Sequence, residues 1–529
     1  MKLNYKRTVF VGFAFFLISM FWQFYDNTIP KILTDRFGMS QTVSGIIMAL
    51  DNILALFLLP LFGVLSDKCK SRLGKRTPFI LIGTIVASLT LVSLSIADNA
   101  QIKKLEDITD YNSPAVREML YDYDYDDELI TPEGDEFVLS EVFTREEFLA
   151  LELFKVPEDN EKDVEELTDD EKDPTDEYTN YFVPARQAYI YQEITSKDPS
   201  SLILFIAILF VLLLTMSTFR TPAVSLMPDV TPKPLRSKGN AIINLMGTLG
   251  GSLALGVGFL LKSGKVSHLF TPSFAYFLVV AGVMLVSLAI FMFTVRENEF
   301  VKDMEKQSRE MNIVEEEKDE NGEKRRLSKP EMKSLILILS SVMLWYFGYN
   351  AVSSKYSVYA GQVLNLDHFL TLLVANVAAL IAFIPVGIIS SKIGRKKAIL
   401  GGVVILSTAF FVASFLRNGT PVAVMMLLFV LAGIGWATIN VNSFPMVVEL
   451  AKGGDVGKYT GFYYTASMAA QTLTPVLSGI VMDEWGMTKL FPYATIFVAL
   501  AFVTMLFVRH GDSRPESVGI LESLAGSDD

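Results

Sequence analysis

The sequence predicts an all-α membrane protein, with twelve transmembrane helices in two six-helix halves and one acidic extracytoplasmic insertion between the third and fourth helices. Three observations lead there. The chain of 529 residues is 51% hydrophobic with a mean hydropathy of +0.38, and its apolar residues gather in blocks of about 20, the length a helix needs to cross ~30 Å of hydrocarbon. Lys and Arg concentrate in alternate loops between those blocks. The formal charge of −12 is also uneven: residues 98–200 hold about 31 Asp and Glu against 9 Lys and Arg, roughly −22, which leaves about +10 for the rest. A basic membrane body carries one acidic outgrowth.

The first apolar block follows Lys6 and Arg7, as in a secretory leader. It is too long for one, contains Trp22 and Asp26, and lacks a small-residue cleavage site, so it reads as the first permanent helix. The blocks run over 8–29, 42–64, 78–97, 201–219, 239–261, 274–295, 334–356, 369–390, 398–416, 421–442, 459–482 and 488–508. With the N-terminus in the cytoplasm, the internal loops hold about 30 Lys and Arg and the short external loops about 7. Both termini are therefore expected inside and residues 98–200 outside. The blocks divide six and six around 296–333, dense in both charges and read as a cytoplasmic linker. The expected organisation is a first half of 1–97 with 201–295, the insert 98–200, the linker, a second half of 334–508 and a cytoplasmic tail of 509–529. A multi-pass plasma-membrane monomer follows, its partners the lipid bilayer and a small solute, with no nucleic acid. The single cysteine, Cys69, excludes a disulfide framework within the chain.

The halves echo each other in one place. After the second block comes Gly63-V-L-S-Asp67-K-C-K-S-Arg72-L-Gly74-Lys75-Arg76, and after the eighth Gly387-I-I-S-Ser391-K-I-Gly394-Arg395-Lys396-Lys397. Each is a small residue at a helix end and then a tight basic turn. The glycine lets two helices approach closely, and Asp67 suits a base or a helix N-terminus. Both loops read as cytoplasmic gates, against the plainer reading of positive-inside anchoring. They resemble the major facilitator superfamily, which implies two six-helix halves rocking around a site near the midplane. The string SDKCKSRLGKRTPFI is similar to the corresponding loop of the sucrose/proton symporters and the wider glycoside–pentoside–hexuronide:cation symporter family. So is RTPAVSLMPDVTPKPLRSKGNA at 220–241, whose Arg220, Asp229, Thr231, Arg236 and Asn240 match residues of the sucrose carriers. The resemblance adds Asp229 and Arg236 to the gate. It leaves 98–200 unexplained. The melibiose-type branch has two acids in the second helix where this chain has Ala55 and Leu59, so that branch's sodium site does not carry over. Ser391, in place of an acid, implies a weaker latch in the second half.

A charge near the bilayer centre costs about 2.5–3.5 kcal/mol on insertion scales, so an acid inside an apolar block is a functional candidate. Two stand out, Asp51 in the second block and Asp26 in the outer third of the first. Either could bind and release a coupling ion, H⁺ or Na⁺, with a hydrogen-bonded structural acid as the alternative. Lys355, at the outer end of the seventh block, is counted among the substrate-binding candidates; it reads as snorkelling to the interface, with pairing to one of these acids as the competing role. Sugar recognition needs hydroxyl-matching polar groups and an aromatic face. Trp22, Gln23 and Tyr25 in the first block offer these, as do Tyr349 and Asn350 in the seventh, Trp436 and Asn440 in the tenth and Gln471 in the eleventh; the aromatics suit interfacial belts equally. In the family's fold, the first, fourth, seventh and tenth helices line the cavity. Glycines 247, 250, 251, 256 and 258 read as a close-packing face, since no Gly-Lys-Ser/Thr follows to make a phosphate loop.

Within the insert, TREEFLALELF places Thr144 and Glu147 at capping-box spacing and predicts an amphipathic helix in a small, partly ordered domain. DYDYDDELITPE sets Asp122, Asp124, Asp126 and Glu133 at positions 1, 3, 5 and 12 of a calcium loop, but Asp127 stands where the sharp turn needs glycine. A solvated acidic face is the competing reading, and no metal is expected. The function these readings favour is secondary active transport, proton-coupled symport of a sugar or glycoside, with no enzymatic activity and no cofactor beyond the coupling ion. Export of an amphipathic compound, or a transport-dead sensor that binds ligand through the insert, are the alternatives.

Overall fold

The structure is a computed structural model that describes residues 3–156, 172–232, 236–261, 274–310, 327–451 and 456–511. Twelve long helices occupy the positions of the twelve blocks: α1 (Tyr5–Lys31), α2 (Gln41–Lys68), α3 (Thr77–Lys104), α4 (Ser200–Val230), α5 (Arg236–Leu260), α6 (Phe274–Thr294), α7 (Lys329–Gln362), α8 (His368–Ile393), α9 (Arg395–Ala413), α10 (Val422–Val448), α11 (Val456–Trp485) and α12 (Leu490–Leu506). Among the described residues ten are long and apolar enough to cross a membrane. The other two are α8, with a shorter apolar stretch of His368–Phe383, and the more polar α11.

Local chemistry sets the ends. Asn4 caps α1 by accepting from Arg7 N at 3.1 Å, and Ser328 with Glu331 forms a complete capping box before α7. Asp367 caps α8 through Phe369 N at 2.8 Å. The sequence places the end of the fourth helix near 219, just before Pro222 and Pro228. The structure carries α4 on through both prolines to Val230. Such breaks are tolerated in membrane helices where neighbouring groups re-satisfy the backbone.

Two apolar cores divide the body. One is built from α1–α6, around Phe21, Phe24, Leu91, Phe205, Phe219 and Phe277; the other from α7–α12, around Trp345, Tyr356, Leu406, Phe410, Phe491 and Val498. In the first, α5 lies against α1, and a Cβ on Gly250 would stand 2.3 Å from Phe16 O. The expected packing face of α5 is thus used, although Gly256 faces open space. Outward-facing side chains are apolar too (Phe293 is 87% exposed, Ile82 63%). In water that belt would be an aggregation hazard; around two cores it marks the lipid side.

The helices alternate direction, so the body has two faces. The N-terminus, the 69–76 loop and the start of the linker lie on one, here the terminal face; the insert lies on the other, the insert face. The linker opens with a helix, Glu297–Glu310. The insert has its own core of Tyr111, Leu120, Phe137, Phe148, Tyr178 and Phe182. Two short antiparallel pairs, β1 (Leu129–Ile130) with β2 (Glu136–Phe137) and β3 (Phe154–Lys155) with β4 (Asp173–Pro174), flank helices Pro114–Asp122 and Val183–Tyr189. Buried Arg117 donates to the carbonyls of Tyr111, Leu149 and Leu151 at 2.8–3.0 Å; burial lowers its pKa. The capping box of Thr144 and Glu147 forms, but the helix it starts ends at Leu149. The insert's described residues are thus more ordered than its composition suggests.

Candidate functional site

The terminal face carries the first polar cluster. Arg76, at the start of α3, is only 6% exposed. Its Nε donates to Asp229 Oδ2 at 2.8 Å and its Nη2 to Asp67 Oδ1 at 2.5 Å, while Nη1 reaches Ser66 Oγ. One guanidinium thus ties the ends of α2, α3 and α4. Gly74 takes φ +122, which favours glycine, and a Cβ on Gly63 would lie 3.2 Å from Thr221 Cγ2. Glu297, not expected at this site, is buried and caps α3: its carboxylate accepts from Lys75 N (2.7 Å), Arg76 N (3.0 Å), Thr77 N (2.8 Å) and Thr77 Oγ1 (2.8 Å). Arg72 is exposed and contributes its carbonyl, which accepts from Asn298 at 2.8 Å. Arg236 opens α5, but its side chain, like those of Asn240 and Ser391, lies outside the described residues.

The second half repeats the Arg76–Asp229 pair. Arg395 starts α9 after Gly394 (φ +94) and half-buried Gly387, and its Nη1 pairs with Glu449 Oε2 at 2.8 Å. Glu449 follows α10 as Asp229 ends α4. Glu449 is thus the counterpart of Asp229, while Ser391 stands at the sequence position of Asp67.

The second cluster lies inside the first half. Asp26 on α1, Asp51 on α2 and Arg220 on α4 are within electrostatic range of one another. Asn52 Nδ2 donates to Asp51 Oδ1 at 2.8 Å, and the Arg220 guanidinium carbon sits 5.1 Å from the Trp22 ring centre. Arg220 belongs inside α4, not in the loop where its proximity to Pro222 suggests it. Trp22 Nε1, Tyr25 Oη and Asn350 Nδ2 are buried without a hydrogen-bond partner among the described residues. Each such group costs about 1–3 kcal/mol unless something satisfies it. Asp26 is also in electrostatic range of Tyr349, so the cluster reaches the second half.

Beside it a cavity opens between the halves. Its larger lobe, about 420 Å³, is walled by Gln23 and Phe15 of α1, Asn244 and Thr248 of α5, Asn376 and Phe383 of α8, and Asn440 and Pro445 of α10. A smaller lobe of about 230 Å³ shares Thr248, Asn376, Phe383 and Asn440 and adds Tyr349 and Trp436. Those two rings stack at 3.6 Å and 5°. Four amides, the hydroxyls of Ser19, Thr248 and Ser353 and an aromatic platform thus converge on one space. Of the expected binding residues, Gln23, Tyr349, Trp436 and Asn440 line these lobes. Trp22 and Tyr25 belong to the charged cluster instead, and Asn350, Lys355 and Gln471 stand outside the wall. Asn244, Thr248 and Asn376 were not foreseen; an amide or hydroxyl in an apolar helix is their signal.

Lys355 corrects both of its expected roles. It is fully buried at the seam, not snorkelling, and Nζ donates to Gln41 O at 2.5 Å with Asp483, neither Asp26 nor Asp51, as its electrostatic partner. Asp483 in turn accepts from Gln41 N (2.8 Å) and Thr42 N (2.7 Å), capping α2 across the seam, and Gln362 Nε2 donates to Asp35 Oδ1 at 3.1 Å. A Cβ on Gly45 would stand 2.1 Å from Pro475 O, so α2 and α11 touch backbone to backbone. These contacts draw the halves together on the insert face, while the cavity wall runs toward the terminal-face ends of its helices. The calcium loop is not built: Asp122 pairs with Arg145 (2.8 Å) and Glu133 with Arg417 (3.2 Å). No group of three or more metal-ligating side chains forms among the described residues.

Comparison with known proteins gives the following. The family profile described as Major Facilitator Superfamily matches residues 188–440 and 373–523, and one described as MFS/sugar transport protein matches 10–101. An MFS-type transporter of Metarhizium rileyi is 23% identical over 138 residues, 26% of this chain and 28% of that protein. A sucrose transport protein of Arabidopsis thaliana is 38% identical over 55 residues, 10% of this chain and 9% of that one. The chain thus spans under a third of the length of the curated relatives it matches. Among solved structures, the inward-open xylose transporter XylE from E. coli superposes with a TM-score of 0.58 at 13% identity, covering 98% of this chain and 99% of that one. A D-xylose–proton symporter gives 0.55 at 14%, covering 96% and 98%. At such identities the likeness is one of fold.

Proposed function

The chain belongs to the Major Facilitator Superfamily, and we propose that it is a secondary transporter that carries a sugar or glycoside by alternating access, driven by symport with protons. The observation that carries this reading is the inter-half cavity: Gln23, Asn244, Thr248, Asn376 and Asn440 offer donors and acceptors for hydroxyl groups, and the stacked Tyr349–Trp436 pair offers an apolar face. The sugar-transport profile over 10–101 and the sugar carriers among the fold neighbours and relatives support the substrate class. The arrangement, drawn together on the insert face, is an inward-facing state if the terminal face is cytoplasmic, the orientation that the loop charges favour. Both termini then lie inside and the insert outside a plasma membrane.

Coupling falls to Asp26, Asp51 and Arg220. Two carboxylates around one guanidinium leave the cluster with one excess negative charge, which a proton neutralises. In the proposed cycle that proton loads from outside, favours closure around bound sugar, and leaves on the inner side, returning the cluster to its charged form. The test is uptake of a panel of mono- and disaccharides into vesicles holding the full chain, with and without an imposed proton or sodium gradient. Accumulation of a sugar that follows the proton gradient is expected; sodium-dependent accumulation would replace the proton with a sodium ion, and no uptake of any sugar would remove the substrate class.

A further inference from the structure

The insert is covalently part of the first half, leaving α3 at Lys104 and rejoining α4 at Ser200. Its base is pinned there. Lys104 Nζ pairs with Asp198 at 2.7 Å, Gln101 Nε2 donates to Thr195 Oγ1 at 3.4 Å, and Gln187 Nε2 donates to Thr34 O at 3.1 Å. Its far side rests on the second half at two separate loops. The tight turn between β1 and β2, closed by Gly134 N→Thr131 O at 2.9 Å, presents Pro132 O to Thr488 N at 2.9 Å, in the turn between α11 and α12. Gly134 (φ +101) and Gly486 (φ +94) meet there: a Cβ on Gly134 would lie 2.4 Å from Trp485 O, and one on Gly486 2.5 Å from Gly134 N. In the turn between α9 and α10, Arg417 Nε pairs with Glu133 at 3.2 Å, and Asn418 Nδ2 donates to Pro174 O at 2.7 Å.

We propose that the insert is a latch across the seam: it holds the insert face shut, and its release from the α9–α10 and α11–α12 turns is a required step before the transporter opens on that face. The geometry forces the coupling. The base moves with the first half, so the halves cannot part on the insert face while the far contacts persist. Each contact is modest, since the ion pair is exposed and the others are single hydrogen bonds. They add to the seam contacts of Asp483 and Lys355, so the insert biases an equilibrium that the membrane body already sets. The proposal rests on the rocking motion assigned above but on neither the sugar nor the coupling ion.

The test uses the full chain in right-side-out vesicles, in a Cys69→Ser, Gln362→Cys background. Position 362 lies at the seam, and the reading is the rate at which a membrane-impermeant maleimide labels it from the insert side. Combining Gly134→Val, Arg417→Glu and Asn418→Asp is expected to raise that rate by about fivefold or more. Arg417→Glu alone should raise it less, and adding Glu133→Arg to Arg417→Glu should bring it back toward the starting rate. Asp483→Asn breaks the membrane-body contact to Gln41 and Thr42 and should also raise it. An unchanged rate in the latch variants beside a rise in Asp483→Asn would overturn the latch; no rise in either would overturn the rocking motion and the latch with it.

Discussion

At the scale of single residues, the buried charges define what can be tested. Asp51→Asn fixes one carboxylate of the cluster in a neutral form. Uphill accumulation of substrate should then be lost, while exchange of labelled for unlabelled substrate persists in part; normal accumulation would remove Asp51 from coupling. Arg220→Met leaves two acids facing each other without their countercharge, and uptake should fall by about tenfold or more, whereas Arg220→Lys retains the charge and part of the rate. Asp26 and Asp51 are legible in the sequence because an acid inside an apolar block has few structural excuses. Arg220 is not, since Pro222 and Pro228 follow it and prolines read as helix ends. Glu297 is hidden for another reason: in a linker dense with charge, nothing marks the one carboxylate that will cap α3. Glu297→Ala strips the acceptor from three backbone N–H groups and should cost about 1–3 kcal/mol, seen as a lower Tm of the purified protein.

At the scale of elements, ion pairs join helix to helix. Arg76–Asp229 and Arg395–Glu449 join the start of one helix to the end of the next in both halves. The basic turns are readable from sequence, but the second acid is not, because Glu449 lies 54 residues from its partner. The cavity is read similarly by halves: periodicity shows which helices are apolar, while which amides point inward depends on how α5 and α8 rotate against each other. Trp436→Ala removes one face of the stacked pair and should raise KM by roughly tenfold with a smaller change in kcat; concentration dependence of uptake measures it. The base of the insert gives a pH prediction. Lys104 and Ser200 hold the Asp198 carboxyl at about 2, below its ordinary 3.8. That contact is at full strength above pH 3.8 and is lost only as pH falls through about 2. Between about pH 5 and 8 the base therefore stays charged, and the pH profile of uptake should be unchanged by Asp198→Asn.

At the scale of the whole molecule, the twelve helices and their division follow from hydropathy and charge, which act along the chain and need no partner. Packing across the seam does not. Lys355 and Asp483 meet because α7 packs directly on α11 and both side chains reach the start of α2 on the insert face, and the order within residues 98–200 comes from Tyr111, Phe148 and Phe182 packing beneath an acidic surface. In the proposed cycle a solute passes through the inter-half cavity at the expense of a proton gradient. Uptake of radiolabelled sugars into vesicles of the purified full chain, under an imposed inward proton gradient, tests it most directly. Accumulation of at least one sugar above its external concentration is expected, collapsing when a protonophore is added. Uptake of no sugar in the panel, or accumulation indifferent to the protonophore, would contradict it.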